Sequence, residues 1–94
     1  MKIIILGGGS IGGSVATELS TEDNDIVVID NNEANLEPLK SKEGIKTVLG
    51  NATSPNTLSK SNLDENSLLL CLTDSEEINL LASIVAVSYT HLRA

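Results

Sequence analysis

The chain has 94 residues, enough for one core and too few for a second folded unit. Six basic residues against 13 acidic ones give a formal net charge of −7, which argues against a nucleic-acid backbone or an anionic lipid surface as a direct partner. Tyr89 is the only aromatic residue, so unpaired bases have no stacking platform and the core must be Leu, Ile, Val and Ala. A single cysteine, Cys71, lies within "LLLCLT" without a neighbouring His or Lys, the setting of a buried structural thiol in a reducing, cytoplasmic compartment. No signal peptide or membrane span is expected, because the "IIIL" run at residues 3–6 is short and ends in glycine.

The first predicted strand is Ile3 to Leu6. It runs into "GGGSIGG", five glycines within residues 7–13, and then into a helical pattern with Ile11, Val15 and Leu19 at i, i+4 and i+8. A second strand, Ile26 to Ile29, closes on Asp30. Next comes a helix with Leu36 and Leu39 on one face, where Asn32 can cap and Pro38 weakens the later turns. Thr47 to Leu49 forms a third strand. Ser54 as N-cap and Pro55 at the first helical position start a short helix in "SPNTLSKSNL". The fourth strand is Leu68 to Leu72.

The last helix begins around Ser75, with Glu76 and Glu77 at its positive end. Ile78, Leu81, Ala82 and Val85 make one apolar stripe, and Leu80 and Ile84 a second. A helix apolar on two faces is expected to be buried twice, against its sheet and against either a subunit partner or a neighbouring helix. Apolar runs without alternation predict parallel strands covered on both faces. The alternation of strand and helix predicts an α/β fold, an open doubly wound parallel sheet, incomplete, with right-handed crossovers setting the strand order 3-2-1-4.

Gly7, Gly9 and Gly12 meet the spacing G-x-G-x-x-G between a strand and a helix. In that context Gly7 allows the tight turn, Gly9 lets a pyrophosphate approach the backbone, and Gly12 lets helix pack close to strand. The helix N-terminus adds unpaired N–H groups and partial positive charge. Asp30 ends the second strand where a carboxylate accepts hydrogen bonds from ribose hydroxyls; it repels a 2′-phosphate, and no Arg follows it. A Rossmann-like site preferring NAD(H) over NADP(H) is expected. In "GNATSP", Ala52 and Thr53 either admit an adenine edge or form an ordinary turn and helix cap. In "TDS", Thr73 and Asp74 either reach the second ribose or simply begin the last helix.

Together, "MKIIILGGGSIGGSVATELS", "NDIVVID", "VLGNATSPNTL" and "LTDSEEINLLASIVA" resemble the TrkA-N family, the N-terminal nucleotide-binding (RCK) domain of the regulatory subunits of Trk potassium uptake systems. The resemblance covers residues 1 to about 86 and places the family's cofactor positions on Gly7, Gly8, Gly9, Ser10 and Ile11, on Asp30, and on Thr73 and Asp74. Asn79 falls in a similar "T-x-x-[DE]-E-x-N" pattern. Many relatives resemble G-D-A-T after the third strand where this chain has Asn51, which removes a charge near the adenosine and leaves NAD(H) and ATP or ADP both open as ligands. The resemblance implies a subunit without catalysis of its own, homo-oligomeric when complete and peripheral at the inner face of the membrane, with a membrane-embedded potassium transporter subunit as partner. The family's later strands, dimerising helices and sensing domain have no counterpart here, so the chain reads as a fragment. The rival reading is the N-terminal part of an NAD-dependent oxidoreductase, against which residues 1–86 contain no His and no Tyr. Residues 87–94, "VSYTHLRA", hold the only Tyr, His and Arg; they resemble a translated sequencing adapter and are expected to be foreign to the natural protein.

Overall fold

Both central strands are unbroken apolar runs because both of their faces are covered. In the computed structural model, which describes residues 1–93, β1 (Lys2–Leu6) and β2 (Asp25–Asp30) lie between β4 (Leu68–Cys71) and β3 (Ile45–Leu49), giving the order β3-β2-β1-β4. All pairings are parallel, and Leu6 stands opposite both Ile29 and Cys71 while Ile29 stands opposite Val48. All the strands therefore end at one edge. The helices are α1 (Ser10–Ser20), α2 (Glu33–Leu36, continued by a 3₁₀ turn over Glu37–Leu39), α3 (Pro55–Lys60) and α4 (Glu76–Arg93).

Side chains alternate across a strand, so the sheet divides the core in two. Ile4, Leu6, Val27, Ile29 and Val48 pack with Leu58, Leu63, Ala82 and Ala86 under α3 and α4. Ile3, Ile5, Ile26, Val28 and Ile45 pack with Ala16, Leu36 and Leu39 under α1 and α2. The edge strand β4 is only half covered, with Leu68 exposed.

Strand order and class match the expectation; several details do not. On α1 the fully buried positions are Gly12 and Ala16, because the helix meets the sheet through its smallest residues; of the expected stripe, Val15 and Leu19 are half-buried against the core while Ile11, at the start of the helix, is 67% exposed. The same holds on α4, where Ala82 and Ala86 face the sheet, Val85 flanks them, and Ile78 and Leu81 are exposed along with Leu80 and Ile84. Asn32 caps α2 by accepting from the Ala34 N–H at 3.0 Å. Ser54 holds the N-cap position of α3 without a side-chain cap bond. Cys71 is half-buried on the edge strand, not fully enclosed.

Candidate nucleotide site

The glycine turn is built by contacts that exclude a β-carbon. Gly7 has φ +110°, and a Cβ there would lie 2.9 Å from the Leu72 carbonyl group and the Thr73 nitrogen. The backbone thus reverses against the exit of β4 in a conformation that L side chains rarely adopt. At Gly12 a Cβ would sit 1.7 Å from the Gly7 carbonyl oxygen, so α1 rests directly on the turn that precedes it. Gly9 differs, with nothing within 4 Å of its Cβ position.

That open space lies at a bare helix end. Gly9 is the N-cap of α1 and makes no side-chain cap bond, and the first turn carries no acidic residue. The first intrahelical bond is made by the Gly13 N–H to the Gly9 carbonyl at 2.7 Å, which leaves the N–H groups of Ser10, Ile11 and Gly12 ahead of it. Such an end attracts an anion through both its donors and its dipole.

At the end of β2, the Asp30 carboxylate is already engaged. Its Oδ2 accepts from the Gly8 N–H at 2.7 Å and from Asn35 Nδ2 at 3.1 Å, and its Oδ1 accepts from the Asn32 N–H at 2.8 Å. Asp30 therefore ties the glycine turn to the start of α2. Sequence reasoning missed Asn35; the signal was its place five residues after Asp30, at the first turn of a capped helix.

After β3, the Asn51 side-chain oxygen accepts from the Thr53 N–H at 2.9 Å and the Thr53 hydroxyl at 2.7 Å. An aspartate would accept the same pair, so Asn51 keeps this turn while giving up the charge. After β4, Asn79 in the first turns of α4 clamps Thr73. The Asn79 Oδ1 accepts from the Thr73 N–H at 3.1 Å and hydroxyl at 2.6 Å, and its Nδ2 donates to the Thr73 carbonyl at 3.1 Å. The Ser75 hydroxyl accepts from the Ile78 N–H at 3.2 Å and so caps the helix near the expected start.

These strand exits surround one cleft of about 540 Å³, within the size range of small-molecule sites. Of the residues singled out from sequence, Gly7, Gly9, Ser10, Ile11, Asp30, Asn51, Ala52, Thr73 and Asp74 line it. Gly8, Gly12 and Thr53 do not: Gly8 and Gly12 shape the turn from behind, and Thr53 folds back on Asn51. Ile29, Asn31, Asn32, Asn35, Gly50, Leu72 and Ile78 complete the wall. The lining includes two carboxylates, Asp30 and Asp74, and neither Lys nor Arg. Cys71 lies one residue behind the β4 exit, and burial pushes its thiol above the ordinary value. Among the described residues no cluster of His, Cys, Asp and Glu could hold a metal, and no helix is long and apolar enough to cross a membrane.

A parallel doubly wound sheet with a glycine turn at a bare helix end, and a carboxylate closing the next strand, defines a nucleotide-binding domain of the Rossmann class. The chain belongs to the TrkA-N domain family, whose model matches residues 3–93. It is 40% identical over 86 residues to the "Trk system potassium uptake protein TrkA" of Vibrio alginolyticus, covering 92% of this chain and 19% of that protein. The TrkA protein of Haemophilus influenzae is also 40% identical, over 87% of this chain and 18% of its own length. This chain thus spans less than a fifth of these relatives. A TrkA homolog from Methanothermobacter thermautotrophicus is 28% identical, with 96% of this chain and 42% of that protein covered. Among solved structures, the UDP-Glc/GlcNAc 4-epimerase of Campylobacter jejuni shares the fold at TM-score 0.69 and 18% identity, over 97% of this chain and 34% of the epimerase.

Proposed function

We propose that this chain is the nucleotide-sensing part of a regulatory subunit of a potassium uptake transporter, and that it catalyses no reaction itself. On this reading residues 1–86 bind NAD(H) or an adenine nucleotide, and residues 87–94 are foreign to the natural protein. The Gly7–Gly12 turn holds phosphate, Asp30 meets the adenosine ribose, Asn51 and Ala52 flank the adenine, and Thr73 and Asp74 face the second ribose or the outer phosphate. The observation that carries the reading is the uncapped N-terminus of α1 opening onto the same cleft as the Asp30 carboxylate. The names of the relatives support the assignment to potassium uptake.

The complete subunit works at the inner face of the membrane, against the membrane-embedded transporter subunit and further copies of itself. Nucleotide alters ion flux because it binds two arrangements of that assembly with different affinity; equal affinity would shift nothing. Calorimetric titration of this chain with NADH, NADPH, ATP and ADP tests the site. Binding of NADH or an adenine nucleotide, with NADPH weaker, is the expected result. Absence of heat with all four removes the nucleotide reading, and steady oxidation of NADH in the presence of carbonyl compounds replaces the sensor with an enzyme.

A further inference from the structure

Resting on the nucleotide reading, we infer that the adenosine ribose is read by two side chains, with Asp30 taking one hydroxyl and Asn35 the other. A carboxylate offers about four acceptor positions. Three are filled within the chain, two on Oδ2 by the Gly8 N–H and the Asn35 amide and one on Oδ1 by the Asn32 N–H. Both ribose hydroxyls cannot donate to Asp30 unless one of these three bonds is broken. The Gly8 bond is the shortest, at 2.7 Å, and belongs to the glycine turn, and the Asn32 bond, at 2.8 Å, holds the entry to α2.

Asn35 resolves the shortage. Asn35 is among the residues lining the cleft, its carboxamide spends one N–H on Asp30 at 3.1 Å, and the same nitrogen carries a second N–H. The pair therefore presents one acceptor, Asp30 Oδ1, beside one donor, Asn35 Nδ2. A vicinal diol matches it: one hydroxyl donates to the carboxylate, and the oxygen of the other accepts from the amide. The Asn35 backbone is fixed by its N–H bond to the Asn32 carbonyl at 3.0 Å, and the adjacent Leu36 is buried in the core. The donor is thus held in place before ligand arrives.

The test uses ADP, the part common to NAD(H) and ATP, with 2′-deoxy-ADP and 3′-deoxy-ADP, titrated into this chain and its Asn35→Ala variant. The parent chain should bind each deoxy analogue on the order of tenfold more weakly than ADP, one hydrogen bond being lost in each case. In Asn35→Ala one of the two penalties should vanish while the other remains. Asn35→Leu, close in size and able neither to donate nor to accept, should lose the same penalty and serves as the second variant if the alanine chain melts early. Survival of both penalties in the variants overturns the inference, because the ribose is then read elsewhere. Loss of both overturns it too, because Asn35 would then only orient Asp30. If the parent chain binds ADP and both analogues equally, the ribose is not read at all; if it binds none of them, the nucleotide reading itself falls.

Discussion

Gly9 and Gly12 separate binding from folding, and alanine at each position should have opposite effects. At Gly12 the new methyl carbon would start 1.7 Å from the Gly7 carbonyl oxygen and 2.8 Å from its carbon, and reaching the 3.0 Å floor of real contacts means opening that gap by about 1.3 Å. The atoms it meets are backbone, so no rotamer relieves the clash and α1 must lift from the sheet. Overpacking of this kind costs about 3 kcal/mol, which for a domain of this size lowers the melting temperature by roughly 12–24 °C. At Gly9 the methyl group meets nothing, and φ of −69° suits an L residue. Gly9→Ala should therefore change stability little, within about 1 kcal/mol, because the gain from restricting the unfolded chain is offset by alanine's poorer fit at the N-cap. It should nonetheless weaken ADP binding at least tenfold, since the methyl occupies the approach to the bare N–H groups. Thermal melts and calorimetry on the two variants read these effects independently. An unchanged melt for Gly12→Ala would refute the packing argument, and undiminished ADP affinity for Gly9→Ala would refute the phosphate cradle.

The remaining predictions concern Asp30, Cys71 and the C-terminal residues. Asp30→Ala should weaken NADH or ADP binding by on the order of 1–3 kcal/mol and lower the melting temperature as well, because it also releases the Gly8 N–H; equal affinity in a titration removes Asp30 from the site. Burial raises the Cys71 pKa above 9.0, so iodoacetamide should modify it more slowly at neutral pH in the folded chain than after unfolding. Because the folded value is raised, its contribution to stability is fully present below 9.0 and is lost as pH rises through that folded value. Alkaline melts of the parent chain should fall away more steeply than those of Cys71→Ala. A chain ended after Ala86 should bind ADP with unchanged affinity, since none of the residues lining the cleft lies beyond Ile78; a clear loss in titration would make residues 87–94 part of the working domain.

The sheet was legible because burial on both faces leaves an unambiguous trace: "IIIL" and "IVVI" have no polar position, and the glycine turn between β1 and α1 fixes where the chain must cross. Helix faces were harder. Ile11 and Leu81 belong to the apolar patterns of their helices and are exposed, yet α1 and α4 approach the sheet most closely through Gly12, Ala16, Ala82 and Ala86, because small residues permit the closest contact and a hydrophobic pattern gives them little weight. Asp30 was visible as a carboxylate at a strand end. Its occupancy was not, since its partners come from Gly8 in one loop and from Asn32 and Asn35 in another, and only the folded chain brings them together. Thr53 shows the same limit: its hydroxyl found an acceptor two residues back and left the cleft.

The electrostatics of the cleft bear on what kind of device it is. Two carboxylates and no Lys or Arg line it, so the α1 end is the one positively polarised element there that could meet an anion. A helix end contributes about 0.3–1 kcal/mol toward an anion, and up to ~2 in partly buried settings. Asp30 and Asp74 oppose part of that. On the proposed reading the phosphates are therefore held loosely, and adenosine contacts decide which nucleotide stays. A 2′-phosphate beside Asp30 would meet a like charge that no lining Lys or Arg offsets, which is the physical basis for expecting NADPH to bind weakly. Loose holding suits a sensor, because occupancy that changes with ambient concentration requires a ligand that leaves. The route outward from the cleft is short: Thr73 rims it, Asn79 grips Thr73 on both sides of its backbone, and Asn79 is already within α4. Any ligand that displaces the loop after β4 must either break that clamp or carry α4 with it, and α4 presents Leu80, Leu81 and Ile84 on its exposed side.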